Sequence, residues 1–296
     1  MCLIAFAVNV HPAFPLLIAA NRDEFLDRPT AGLHRWTLTS GTEVVAGRDL
    51  RDGGTWLGVS PSGRVAMLTN VRDGQPGSGP RSRGELATLW LAGDLDWDGL
   101  QARIDPGAYG GFNLVVGDFH QDFWAWLGNR DPQHPHEVHR PQLHSQRLSA
   151  GVYGLSNATL DSPWPKTLRL TKALRTSLEQ SVQLVHAPQP EDPPTWSGSL
   201  RQALWDDRLA EDADLPSTGV ALALERQLSS PFVRMPDRGY GTRSSLVVRV
   251  QRQEPTTAGW QVSLDEWTHA HATAPQDPHH RSETGQTLHR RETLHW

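Results

Sequence analysis

The chain carries one cysteine, Cys2, directly after Met1 and at the head of the apolar run Leu3-Ile-Ala-Phe-Ala-Val. Removal of Met1 would leave a thiol and a free α-amine on the same residue. Their reference pKa values are roughly 8.5 and 8, so a modest electrostatic push yields a thiolate with its own proton acceptor attached. That is the arrangement of N-terminal nucleophiles. The position equally suits a small apolar residue opening a buried strand, where free cysteine packs well. A polar cluster, Asn21-Arg22-Asp23-Glu24, closes the next apolar run. The two runs are similar in length and flank a turn at His11-Pro-Ala-Phe, which predicts a hairpin that returns the cluster to Cys2. An arginine there favours thiolate over thiol, and an acid holds or orients the terminal ammonium. A solvated strand end accounts for four consecutive polar residues as well.

Three later segments have the types needed around an acyl-transfer centre. Leu68-Thr-Asn70 and Gly154-Leu-Ser-Asn157 close strands, and Gly241-Thr-Arg243-Ser-Ser opens one. Strand-end asparagine amides are neutral donors suited to an oxyanion, worth about 3–4 kcal/mol each in such sites. Asn70 and Asn157 are equally ordinary turn residues. Gly154-Leu-Ser-Asn-Ala is one residue from a nucleophile elbow, but the surrounding pattern lacks the parallel sheet that motif requires. His134, His136 and His139, and His279-His280, are metal-ligand types, yet Pro135 disrupts helical spacing and no metal is assigned. Gly74 to Gly84 predicts a flexible loop over the cleft, with Arg81 and Arg83 placed either for solubility or for an anionic substrate.

The elements that must position these groups are mostly strands. Apolar, β-rich runs recur at Leu3–Val10, Pro15–Ala20, Val44–Gly47, Trp56–Val59, Arg64–Asn70, Phe112–Gly117, Phe123–Leu127, Val152–Ser156, Ser244–Val250 and Trp260–Leu264. Helical patterns occupy Gly84–Leu91, Pro165–Leu178 and Leu200–Leu209. Strands at both chain ends with helices between argue for α+β with mostly antiparallel sheets. Residues 1–268 read as one domain, and 269–296, polar and His-rich, as a mobile tail.

Composition narrows the function class. A net charge of −5 with 21% charged residues gives no nucleic-acid surface. No run reaches the roughly 20 apolar residues of a membrane span and no basic segment precedes Cys2, so a cytoplasmic location is expected. Lys166 and Lys172 are the only lysines and neither follows a glycine run, which removes a P-loop.

Ten blocks together carry a resemblance. They are Met1-Cys-Leu-Ile, Ala20-Asn-Arg-Asp-Glu-Phe, Ala46-Gly-Arg-Asp, Gly53-Gly-Thr-Trp-Leu-Gly, Leu68-Thr-Asn-Val-Arg, Ser82-Arg-Gly-Glu, Gly111-Phe-Asn-Leu, Gly154-Leu-Ser-Asn, Pro163-Trp-Pro-Lys and Gly239-Tyr-Gly-Thr-Arg-Ser-Ser. In this order the chain resembles the NRDE, or transport and Golgi organisation protein 2, family. More distantly it resembles the cysteine N-terminal-nucleophile hydrolases of the choloylglycine hydrolase and penicillin V acylase type. The resemblance implies a four-layer αββα sandwich and hydrolysis of a non-peptide amide or an acyl thioester. It implies Cys2 as nucleophile, Arg22 beside it, Asp23 on the terminal amine, Asn70 and Asn157 on the oxyanion and amine, and Arg243 as a second arginine. Arg22 and Asp23 are adjacent here and point to opposite strand faces, so the acid is either Asp23 or Glu24. Hydrolysis of this kind needs no cofactor. The family resemblance also implies a non-catalytic alternative, a cleft that binds or moves haem or an acyl-CoA or other lipid.

Overall fold

The structure, a computed structural model, describes residues 2–74, 79–136, 141–184, 195–252, 259–271 and 287–296. The first apolar run forms β1 (Cys2–Val8), which ends where Asn9 takes a left-handed φ of 51°. The chain returns as β2 (Leu16–Phe25). Side chains alternate across a strand, and β1 is apolar at every position because both of its faces are covered. Ile4, Phe6 and Val8 enter one core, while Leu3, Ala5 and Ala7 enter another.

One sheet runs in the order β10 (Gly151–Leu155), β1, β2, β12 (Tyr240–Arg252), β13 (Trp260–Thr268) and β14 (Leu288–His295), with the short β11 (Arg234–Met235) beside β12. The second sheet is sequential: β3 (Thr30–Thr37), β4 (Glu43–Asp49), β5 (Leu57–Val59), β6 (Arg64–Asn70), β7 (Phe112–Asp118), β8 (Phe123–Gly128) and β9 (His144–Arg147). The pairings in both sheets are antiparallel. The sheets share a core through residues such as Phe6, Ile18, Val65, Val115 and Val248. Helices α1 (Gly84–Leu91) and α2 (Trp97–Arg103) cover the outer face of the second sheet. Helices α3 (Pro165–Leu184) and α4 (Thr195–Leu204) cover that of the first. The order of layers is therefore helix, sheet, sheet, helix, an α+β sandwich as expected. A further short helix, α5 (Leu222–Gln227), lies beside the first sheet's β11 end, where Leu224 packs on Val233 and Met235. Among the described residues no helix is long and apolar enough to cross a membrane.

Two expectations change. The helix expected at Leu200–Leu209 ends at Leu204. The expected tail from 269 to 296 is in part built into the fold, because Leu288–His295 is strand β14, paired along β13. It escapes an apolar pattern since Leu294 is its one buried residue and charge pairs hold the rest. His289 and Arg291 both reach Asp265 (2.8 and 2.7 Å), and Arg35 reaches Glu292 (3.2 Å). His269 also belongs to the packed structure: its ring accepts or donates at Ser245 Oγ (2.8 Å) and meets Trp205 and Phe232 edge-on.

Burial, reinforced by the His271 and Arg234 charges, lowers the His269 pKa to about 4 from an ordinary 6.5. Between those values the unfolded chain binds more protons, so stability falls as pH falls from 6.5 to 4. Urea unfolding followed by tryptophan fluorescence should show a loss of about 2–3 kcal/mol from this residue across that window. His269→Gln should flatten the slope, and identical slopes in the two proteins would refute the assignment.

Candidate active site

Cys2 stands directly opposite Arg22 in the β1–β2 ladder. Cross-strand partners project to the same face, so thiol and guanidinium share the inter-sheet side at the open end of β1. Both are buried, at 7% and 6% exposure. Burial raises the Cys2 thiol pKa; the Arg22 charge pulls it down while Asp23 and Glu24 push it up. Arg22 Nη2 lies 3.5 Å from Glu24 Oε2 and 3.9 Å from Asp49 Oδ2. Its buried Nη1 has no hydrogen-bond partner among the described residues.

The two candidate acids separate across β2. Glu24 shares the Arg22 face; burial disfavours its charge, but the N-terminal ammonium, Arg22, the Phe25 N–H and Arg28 together hold it below the usual range. Asp23 faces the helical layer, accepts a hydrogen bond from Thr242 Oγ1 (2.7 Å), and has its pKa raised by burial against the opposing pull of Lys166. Arg243 sits where the β2–β12 register shifts between Thr242 and Ser244, and donates to the Phe25 and Arg28 carbonyls (3.0 and 2.5 Å). That bulge re-aims its side chain, and it lies within charge range of Arg22 and Glu24.

Asn70 and Asn157 meet where the two sheets are joined. Asn157 Nδ2 donates to Asn70 O (2.9 Å), Arg72 N donates to Asn157 O (2.7 Å) and Thr69 Oγ1 donates to Ser156 O (2.6 Å). Ser156 Oγ reaches Cys2 O and Asn157 Oδ1, both at 3.2 Å. Asn113 extends the join, donating to Ala158 O (2.8 Å) and Thr69 Oγ1 (3.2 Å). One Asn157 amide proton is therefore committed to structure and one is left for other work.

The structure adds groups that sequence reasoning did not select, and places Arg83, which it did. Lys166, fully buried near the start of α3, donates to Asn157 Oδ1 (3.4 Å). Arg72 is ion-paired to buried Glu225, whose Oε1 also accepts from Thr218 N (2.9 Å), and Arg72 stacks over Trp164. Tyr240 is buried, and burial together with Asp23, Glu24 and Cys2 holds its hydroxyl pKa well above the ordinary value. Arg83 donates to Gly111 O (3.3 Å) within charge range of Glu24 and Cys2. It is placed by a close backbone approach: a Cβ on Gly54 would come within 2.5 Å of the Gly84 carbonyl carbon. The signal for three of these lay in the blocks Leu68-Thr-Asn-Val-Arg, Pro163-Trp-Pro-Lys and Gly239-Tyr-Gly; Glu225 had none. Arg81 is elsewhere, on Glu85 (2.7 Å) and Tyr109.

Residues 75–78 of the glycine-rich loop, His139 and His279-His280 lie outside the described residues. His134 pairs with Asp131 (3.4 Å) and His136 with Arg72 O (2.7 Å). Among the described residues no group of three or more His, Cys, Asp or Glu is placed to hold a metal. A cavity of about 640 Å³ opens at the opposite end of β1, lined by His11, Phe119, Trp124 and Trp260. It is remote from Cys2.

A thiol flanked by guanidinium groups, an interior acid and amide donors can support attack on an acyl carbonyl. The description Transport and Golgi organisation 2 matches residues 1–259 of this chain. The chain is 33% identical over 270 residues to the Transport and Golgi organization protein 2 homolog of Bos taurus, covering 84% of this chain and 88% of that protein. The Homo sapiens homolog is 32% identical over 269 residues, with the same coverage. A Caenorhabditis elegans N-acylethanolamine-hydrolyzing acid amidase ortholog superposes with a TM-score of 0.46 at 11% identity, covering 83% of this chain and 92% of that one.

Breaking a buried ion pair from one side leaves an uncompensated charge at a cost of about 3–5 kcal/mol. Glu225→Gln should therefore lower stability to urea by that order, and Arg72→Met combined with Glu225→Met should recover most of it. A Glu225→Gln protein as stable as the parent would remove the pair from the account.

Proposed function

The chain belongs to the Transport and Golgi organisation 2 family, and on that footing we propose that it is an N-terminal-cysteine hydrolase-like protein acting on a non-peptide amide or an acyl thioester. The observation that carries this reading is the cross-strand pairing of Cys2 with Arg22 at the open end of β1. With Met1 removed, the Cys2 α-amine takes the thiol proton and the thiolate attacks the substrate carbonyl. Asn70 and the remaining Asn157 N–H donate to the oxyanion. The departing amine or thiol takes the proton from the ammonium, and water then hydrolyses the acyl-cysteine. Asp23 holds the ammonium, while Arg22 and Arg243 keep the nucleophile face positive.

A second reading, a carrier for haem or for an acyl-CoA or other lipid, is favoured by one feature. Burial pushes the Cys2 thiol away from ionisation, and an arginine with a spare buried donor suits an anionic ligand.

The test begins with the intact mass of the purified protein, which reports whether Met1 is gone. Incubation with slow acyl amides and acyl thioesters should then give an acyl adduct on residue 2. Cys2→Ala should abolish turnover and leave substrate affinity within about threefold, a difference under 1 kcal/mol. Saturable haem binding lost in Cys2→Ala, with no adduct from any acyl donor, would establish the carrier instead. Arg22→Gln should raise the midpoint pH of Cys2 alkylation by iodoacetamide; an unchanged titration would take Arg22 out of the activation.

A further inference from the structure

At the end of the sandwich away from Cys2, a cavity of about 640 Å³ lies between the turn joining β1 to β2 and the turn joining β7 to β8. That volume is typical of small-molecule sites. Phe119, Trp124 and Trp260 line it, together with the imidazole of His11. These rings are fixed by their neighbours. Trp124 lies over its cross-strand partner Gly117, where a Cβ would come within 2.3 Å of the ring. Phe119 meets Trp260 edge-on at 5.4 Å and Trp296 at 4.9 Å, and the Trp296 indole N–H donates to Ser60 O (2.9 Å). His11 stacks on Phe14 at 5.3 Å, and its Nδ1 accepts from Ala13 N–H (3.2 Å), so the ring proton sits on Nε2. Burial lowers the His11 pKa, and the ring is neutral at pH 7. Asn9 on one turn and exposed Asp122 on the other join across the rim, Asn9 Nδ2 donating to Asp122 Oδ1 (2.5 Å). No lysine or arginine lines the cavity, and among the described residues the Asp122 carboxylate has no basic partner.

We propose that this cavity binds a small organic cation, a methylated ammonium group enclosed among the rings with the Asp122 carboxylate at its mouth. Aromatic faces carry the negative end of the ring quadrupole and attract a cation within about 6 Å. A methylated ammonium suits such walls better than a bare one, because its charge is spread over apolar methyl groups that the rings remove from water. The neutral His11 ring adds a wall without adding a positive charge. Arg252 places its guanidinium 5.2 Å over the Trp260 ring but is not part of the lining, so the cavity meets another part of that ring. An anion would find no basic lining group and would face Asp122. An uncharged apolar molecule would use the rings and leave the carboxylate without a role. Because packing fixes the walls before a ligand arrives, little conformational freedom is lost on binding. Cys2 lies at the other end of β1, and binding here requires no reaction there.

The test is calorimetric titration with choline chloride at constant ionic strength. The uncharged control is 3,3-dimethylbutan-1-ol, in which carbon replaces the cationic nitrogen. The wild type should bind choline saturably with a Kd of about 1 mM, and the alcohol at least about tenfold more weakly. Asp122→Asn keeps an acceptor for Asn9 and tolerates the left-handed backbone at φ 48°. It should weaken choline about fivefold and leave the alcohol unchanged. Phe119→Leu and Trp260→Leu should each weaken choline at least about threefold. If one of these fails to give a cooperative melt the other serves, and if both fail, Asp122→Asn and the alcohol decide. The proposal is overturned by the alcohol binding as tightly as choline, or by the absence of saturation at about 50 mM choline. It is equally overturned by an Asp122→Asn protein that binds choline as the wild type does, or by folded ring variants that leave choline affinity unchanged.

Discussion

The register of β1 against β2 is the constraint on which the site depends. Side chains alternate with a period of two, so a slip of one residue would carry every group on a strand to the other face. With Cys2 opposite Arg22, the run Leu16, Ile18, Ala20, Arg22 meets Ile4, Phe6 and Val8 between the sheets. Slipping by one would turn Arg22 toward Leu170 and Leu174 of the helical layer and strand its charge in apolar surroundings. It would also pull Asn21 away from the Leu204 and Pro231 carbonyls, to which its amide donates at 2.7 and 2.8 Å. Packing on both faces therefore enforces the pairing on which the proposed chemistry rests.

A second constraint keeps the two sheets together at the same end. Stacked sheets ordinarily meet only through side chains about 10 Å apart. Here backbone and side-chain hydrogen bonds tie the end of β6 to the residues after β10, through Thr69, Asn70, Arg72, Ser156 and Asn157. Buried polar groups are costly unless satisfied, and a satisfied network rigidifies what it joins. The site end of the sandwich is consequently polar and cross-linked, whereas the far end holds the aromatic-lined cavity. Asn157 belongs to both roles, since its backbone and one amide proton join the sheets while the rest of its side chain meets Ser156 and Lys166.

What could be read from the sequence follows this division. The β1–β2 hairpin was legible because two apolar runs of matched length flank a turn, and the strand-end asparagines were legible as types. The strands at Thr30–Thr37, His144–Arg147 and Leu288–His295 were not, because their stability comes from cross-strand pairing of polar and charged residues rather than from an apolar period. Lys166 and Arg72 lay in quoted blocks without showing their role, and Glu225 had no signal at all, for a different reason. A charged residue in sequence reads as surface, and only tertiary packing shows that these charges are buried and balanced against each other from segments far apart in the chain. Arg81 and Arg83 make the point at close range: two residues apart, one is an exposed partner of Glu85 and the other donates to Gly111 O within charge range of Glu24.

The adjacency of Arg22 and Asp23 is the feature that shapes the charge environment of Cys2 most. Two neighbouring residues on a strand face opposite sides of the sheet, so cation and acid are held apart by the sheet itself rather than paired into a neutral bridge. Arg22, with Glu24, presents charge to the inter-sheet side; Asp23, with Thr242 and near Lys166, presents charge to the helical side. A residue in the middle of β1 would see one of these fields or the other. Cys2, the first residue of the strand, lies where the ladder ends, and its charge environment includes groups from both sides. The thiol projects toward Arg22, while the backbone of the same residue is held by Ser156 in the network that contains Lys166. A cysteine one or two positions further into the strand would keep its burial and lose the charges of one side, which is why the proposed chemistry is assigned to the strand's first residue.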